Sequence, residues 1–107
     1  MSHKHYLIYN TCPDQATAER IATLLVDESL AACVNIIPGL TSIYQWAGET
    51  QREAEVLLLI KSSIDTYPAL EKRLCQEHPY ELPEIIAVPI VAGHPPYLQW
   101  VEKNSRP

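Results

Sequence analysis

His78 offers the most chemistry in this sequence. It stands at the expected end of a helix and is followed by Pro79 and Tyr80. A neutral imidazole in that place suits copper or zinc as a ligand. It also suits a cap, because a positive or hydrogen-bonding side chain is favoured where the helix dipole leaves carbonyls unpaired. Glu55 and Lys61 come next, six residues apart on an expected strand and so on one face of it. With Glu53, Tyr80 and Glu84 they could line a cleft between subunits that takes a polar ligand. Equally, they could form an ion pair that fixes subunit register. Tyr44 and Trp46, near an expected hairpin tip, either cover such a ligand or pack against a neighbouring chain, where aromatic residues are enriched.

Other reactive side chains read as ordinary. Cys33 and Cys75 sit within apolar patterns, where a free cysteine behaves as a small buried hydrophobe. His3 and His5 form a His-x-His on an expected floppy terminus, a poorly preorganised metal binder. An enzyme needs a nucleophile or base with a positioned partner. The chain has no His-Glu-x-x-His, Cys-x-x-Cys or Gly-x-Ser-x-Gly, and its three glycines give little material for a phosphate-cradling loop. The sequence therefore reads as a binding protein and not an enzyme, with a site assembled across subunits left open.

The elements that must position these residues are legible from pattern. Tyr6 to Thr11 reads as a strand, broken by Pro13. Asp14 is a plausible cap for a helix from Gln15 to Glu28, in which Ala18, Ile21, Ala22 and Leu25 recur at helical spacing. Ala32 to Trp46 favours extended structure, and Pro38-Gly39 predicts a bulge in it and places it near an edge. A turn at residues 47–49 leads into a third strand, Arg52 to Lys61, so the two form a long hairpin. Asp65 is the expected cap of a second helix carrying Tyr67, Leu70, Leu74, Cys75 and His78 on one face, ended by Pro79. A fourth strand spans Ile85 to Val91, and Pro95-Pro96 opens a short last helix with Tyr97, Leu98, Trp100 and Val101. The order β-α-β-β-α-β plus a helix predicts an α+β, ferredoxin-like fold in one domain over residues 1–107.

Composition narrows the function. The net charge is −5, and eight basic residues are scattered among thirteen acidic ones, so nucleic acid is a poor partner. No apolar run approaches the roughly 20 residues that cross a bilayer, and no membrane partner is expected. Three widely spaced cysteines, and no recognisable secretion signal, suit free thiols in a reducing cytoplasm.

Two main helices cover one face of a four-stranded sheet, so the other face should be polar. It is not. Val56 to Ile60 and Ile85 to Val88 are apolar at successive positions and point greasy side chains both ways. Burying one such side chain stabilises by roughly 1.5–3 kcal/mol. The short last helix could cover part of that face in a monomer, but self-association covers it better.

Five ordered blocks carry a resemblance over nearly the whole chain. They are Leu30-Ala31-Ala32-Cys33-Val34-Asn35, Ser42-Ile43-Tyr44-Gln45-Trp46-Ala47-Gly48, Glu55 with Lys61-Ser62, His78-Pro79-Tyr80-Glu81-Leu82-Pro83-Glu84, and Tyr97-Leu98-Gln99-Trp100. Together they resemble the CutA family. The resemblance implies a homotrimer similar in shape to PII signalling proteins and a link to tolerance of copper and other divalent cations. It also implies that metal ions are partners. In family members with proposed copper ligands, paired histidines precede the Pro-Tyr and a cysteine lies near the end of the first strand. Here Glu77 precedes His78 and Asn10 holds the strand position, so only His78 carries over. Cys12, two residues beyond Asn10, would face the same side of an extended strand and is the candidate second ligand. A PII-like sensor holding a small anionic ligand near Lys61, and a structural trimer that scaffolds an unidentified protein partner, are the alternatives.

Overall fold

A computed structural model describes residues 3–107 of the chain. Strand β1 (His5–Cys12) is followed by helix α1 (Gln15–Asp27), strands β2 (Cys33–Trp46) and β3 (Glu49–Ser63), helix α2 (Tyr67–Glu77), strand β4 (Ile85–Pro89) and helix α3 (Pro95–Lys103). The sheet order is β2-β3-β1-β4, and each neighbouring pair is antiparallel. This is the expected ferredoxin-like arrangement.

Alternation along the strands builds two different faces. Ile8, Cys12, Val56, Leu58 and Ile60 point one way and pack with Ala18, Ile21 and Leu25 of α1 and Leu70 and Leu74 of α2. α1 starts where Asp14 accepts a hydrogen bond from the Thr17 amide, as its sequence position suggested. The opposite face carries Leu7, Tyr9, Leu57, Leu59, Ile86 and Val88, and Ile86 remains 54% exposed. Among the described residues, α3 alone lies over this face, at one end, where Val101 is fully buried.

β2 lies at the sheet edge, and its register with β3 shifts between Ile37 and Leu40. Gly39, at φ 85°, supplies the backbone conformation that this bulge needs. The hairpin closes through Ala47 (φ 54°) and Gly48 (φ 81°), the left-handed pair that matches strand twist.

Three local expectations change. The α2 cap is Thr66, not Asp65, and Thr66 turns its hydroxyl to the Ser105 carbonyl instead of capping. Cys75 is exposed and Cys33 half-buried, so neither fills the core; the fully buried thiol is Cys12. His5 is no part of a loose tail, for it opens β1 with its side chain only 12% exposed, 3.8 Å from Glu102.

Candidate functional site

α2 ends over the end of β1, and this juxtaposition builds a buried polar cluster. The chain leaves α2 at His78, whose amide still donates to the Leu74 carbonyl at 2.9 Å. The ring is held on both sides. The Tyr80 amide donates to Nδ1 at 3.1 Å, and Nε2 lies 2.8 Å from the Thr11 carbonyl. A backbone amide can only donate, so Nδ1 is bare and Nε2 carries the proton that it gives to Thr11. Burial pulls the imidazole below its ordinary pKa and favours this neutral form, although Thr11 and Glu55 pull the other way.

Cys12 packs beside that ring. Its Sγ is 4.0 Å from His78 Nε2 and 3.5 Å from Asn10 Oδ1. Burial, followed by the charges of Glu55 and Asp14, pushes the thiol up to about 11. It is therefore a protonated donor to Asn10, whose amide nitrogen donates in turn to the Glu84 carbonyl at 2.8 Å. Tyr80 closes the cluster by donating its hydroxyl to Glu55 at 2.7 Å. Burial and that carboxylate raise the phenol's pKa.

The structure thus joins Cys12, His78, Tyr80 and Glu55, with the backbone of Glu84, and leaves two expected cleft residues elsewhere. Lys61 pairs with Leu7 and Cys33 in the ladders, whereas Glu55 pairs with Leu40 across the hairpin. Six residues of strand separate them, roughly 20 Å, so sharing a face does not bring them together. Trp46 sits opposite Glu49 at the hairpin tip, about as far from Glu55 in the other direction. Glu53 is exposed on the hairpin, while Tyr44 lies near enough to Tyr80 to affect its titration. No ion pair joins Glu55 and Lys61; the Lys61 ammonium donates to Asn35 Oδ1 and lies 4.0 Å from Cys33 Sγ.

Sequence reasoning named Asn10 only as the place where a cysteine is replaced, and gave Thr11 and Asn35 no role. Two of the three had a readable signal: a fully buried Asn10 on the core face of an apolar strand, and Asn35 in the run Val34 to Ile37. Thr11 acts through its backbone and had none.

As a cation site the cluster offers two soft donors. The 4.0 Å between Cys12 Sγ and His78 Nε2 is within reach of one ion, given metal bonds of about 2.3 Å to sulfur and 2.0 Å to nitrogen. Both atoms carry protons in this arrangement: a cation would have to displace the thiol proton and shift the imidazole proton to Nδ1, which the Tyr80 amide now occupies as a donor. Among the described residues no third His, Cys, Asp or Glu joins them in ligand geometry.

The family model described as CutA1 divalent ion tolerance protein matches residues 6–104. The divalent-cation tolerance protein CutA of Thermus thermophilus is 50% identical over 95 residues, which are 89% of this chain and 92% of that one. The human protein CutA is 47% identical over 93 residues; these are 87% of this chain but 52% of the human protein, so the chain spans about half that relative's length. Among solved structures, the PII-like protein CutA from Nostoc sp. PCC 7120 in apo form superposes with a TM-score of 0.88 at 39% identity, over 94% of this chain and 97% of that one. With the sheet order, the α3 cover and these matches in agreement, the chain belongs to the CutA1 divalent ion tolerance family.

Proposed function

We propose that the chain is a cytoplasmic, homotrimeric binding protein of divalent-cation tolerance that holds a soft cation, copper or zinc, between Cys12 and His78. The observation that carries this reading is the 4.0 Å approach of the two donors, which the fold brings together from 66 residues apart. Thiolate and imidazole select such ions over magnesium or calcium. Trimer formation is supported by the open sheet face, where Ile37, Ile86 and Val88 are each more than 40% exposed. Free thiols at all three cysteines support a reducing compartment.

Cation capture at this pair would release the Cys12 proton and move the single imidazole proton of His78 from Nε2 to Nδ1, so affinity rises with pH through the thiol. Thr11 then loses its hydrogen bond, and the remaining ligands are water or another subunit's groups. Anaerobic titration calorimetry with copper, repeated with zinc, on the parent, Cys12→Ser and His78→Gln tests the site. Binding near one ion per chain that weakens at least about tenfold in both variants, the size of a lost ligand, is the expected result. Binding that is absent in the parent, or unchanged in both variants, removes the site. Sedimentation velocity tests the trimer: a stable monomer at micromolar concentration overturns it.

A further inference from the structure

We propose that His5 and Glu102 form a proton-operated clasp, in which protonated His5 binds the Glu102 carboxylate and holds α3 down on the sheet. The clasp lies at the opposite end of β1 from Cys12 and does not depend on a cation being held there.

His5 is a buried imidazole without a partner. It opens β1, shares a face with Leu7 and stands opposite Ser63 of β3. Its carbonyl accepts from the Ile90 amide, so its backbone is fixed between two strands. Its Nε2 is shut off from water and makes no hydrogen bond. Among the described residues it is the one buried side-chain nitrogen or oxygen left in that state. Such atoms are rare, because each forfeits its hydration and gains nothing in return.

What faces this nitrogen is a carboxylate. Glu102 Oε2 is 3.8 Å from Nε2, near enough for ionic attraction but too far for a hydrogen bond. The other oxygen, Oε1, accepts from Arg106 at 3.1 Å. A neutral imidazole offers Oε2 either a lone pair, which repels it, or an uncharged N–H, which binds weakly. An imidazolium offers a charged N–H, and a shift of about 1 Å closes a charge-assisted bond.

The rest of this junction is already satisfied. The Ser105 hydroxyl accepts from the Ser63 amide and donates to the Val101 carbonyl, and Thr66 donates to the Ser105 carbonyl. These bonds seat the end of α3 at any pH, and the His5 contact is the one left loose.

The other charges around His5 leave Glu102 as its counter-ion. Lys61 shares this face of β3, but its ammonium donates to Asn35 on β2, on the far side from β1. Lys4, Asp65 and Arg106 line an open groove beside Glu102; Lys4 and Asp65 are opposite in sign, and Arg106 is bound to Glu102. Pro89 and Ile90, the β4 end that flanks His5, carry no charge. The proton thus gains a partner only while α3 is seated, and the seated form binds it more tightly than the unfolded chain does. The clasp adds stability in acid and loses it as pH rises through the range where imidazole deprotonates, about 5 to 8.

A double-mutant cycle tests the clasp. The parent, His5→Leu, Glu102→Gln and the double variant are unfolded in urea at one protein concentration, at about pH 5.5 and about pH 8. At the lower pH the two sites should couple by about two- to fivefold in the unfolding constant, the range of partly exposed ion pairs. At the higher pH that coupling should be largely lost. Equal coupling at both pH values overturns the proposal, because a contact that needs no proton is then enough. Absence of coupling at the lower pH overturns it too. Where His5→Leu does not fold, the Tm gap between the parent and Glu102→Gln decides. That gap should widen on acidification across the same range, and a constant gap overturns the clasp.

Discussion

The two faces of this sheet differ in how far one chain can complete them. On the helix-covered face the polar groups close on one another: Thr11, His78 and Tyr80 form one chain of hydrogen bonds, and Cys12, Asn10 and Glu84 another. On the open face, Ile86 and Val88 remain exposed to water. The residues most suggestive of chemistry, Cys12 and His78, lie on the finished side, each with a structural job already.

Adjacent leucines in β3 test this contrast most sharply. Leu58 is fully buried on the covered face, so Leu58→Ala should cost about 3 kcal/mol in urea denaturation. Leu59 points to the open face; Leu59→Ala should cost far less in dilute, dissociated protein but weaken self-association, as read by sedimentation. Equal costs under both conditions would erase the distinction between the faces. His78→Ala should come next, at about 1–3 kcal/mol, because it leaves the Thr11 carbonyl and Tyr80 amide without a partner. A value near zero would mean that water replaces the ring.

Thiol reactivity should follow the same division. Native protein at pH 8 should alkylate at Cys75 first, Cys33 next and Cys12 last, since Cys12 is buried and its thiol is pushed up to about 11. Rapid labelling of Cys12 would show that the covered end opens. The smallest effect belongs to Asp14, whose hydrogen bonds to Thr17 hold its carboxyl below the usual aspartate range. With the folded pKa depressed, its stabilising contribution is complete above the unfolded value and lost as pH falls through the folded one. Asp14→Ala should therefore be less stable than the parent near pH 6, and the gap should close below about pH 4.

Much of this architecture was readable from local pattern. The helical spacing of Ala18, Ile21, Ala22 and Leu25, the Pro38-Gly39 bulge and the Asp14 cap each report on neighbours close in sequence, and each was found. What was not readable depends on distant partners. Asp65 looked like the cap of α2, but Ser105, some 40 residues away, draws the hydroxyl of Thr66 and sets that helix start. Cys75 follows Leu74 on the helix and shares much of its pattern, yet one step of about 100° turns it into solvent. For the site, even spacing grouped Glu55 with Lys61, but six residues of strand, roughly 20 Å, separate them, and Glu55 is held in the Cys12–His78 cluster by Tyr80.

The Ser63 amide has an unusual partner for the end of a strand: it donates to the Ser105 hydroxyl at 3.1 Å, and that hydroxyl donates to Val101 at 2.6 Å. Its hydrogen is thus shielded by the last turn of the chain and not by a sheet neighbour. Deuterium uptake at this one position would report the docking of α3 independently of the global unfolding that governs Leu58 or Ile60.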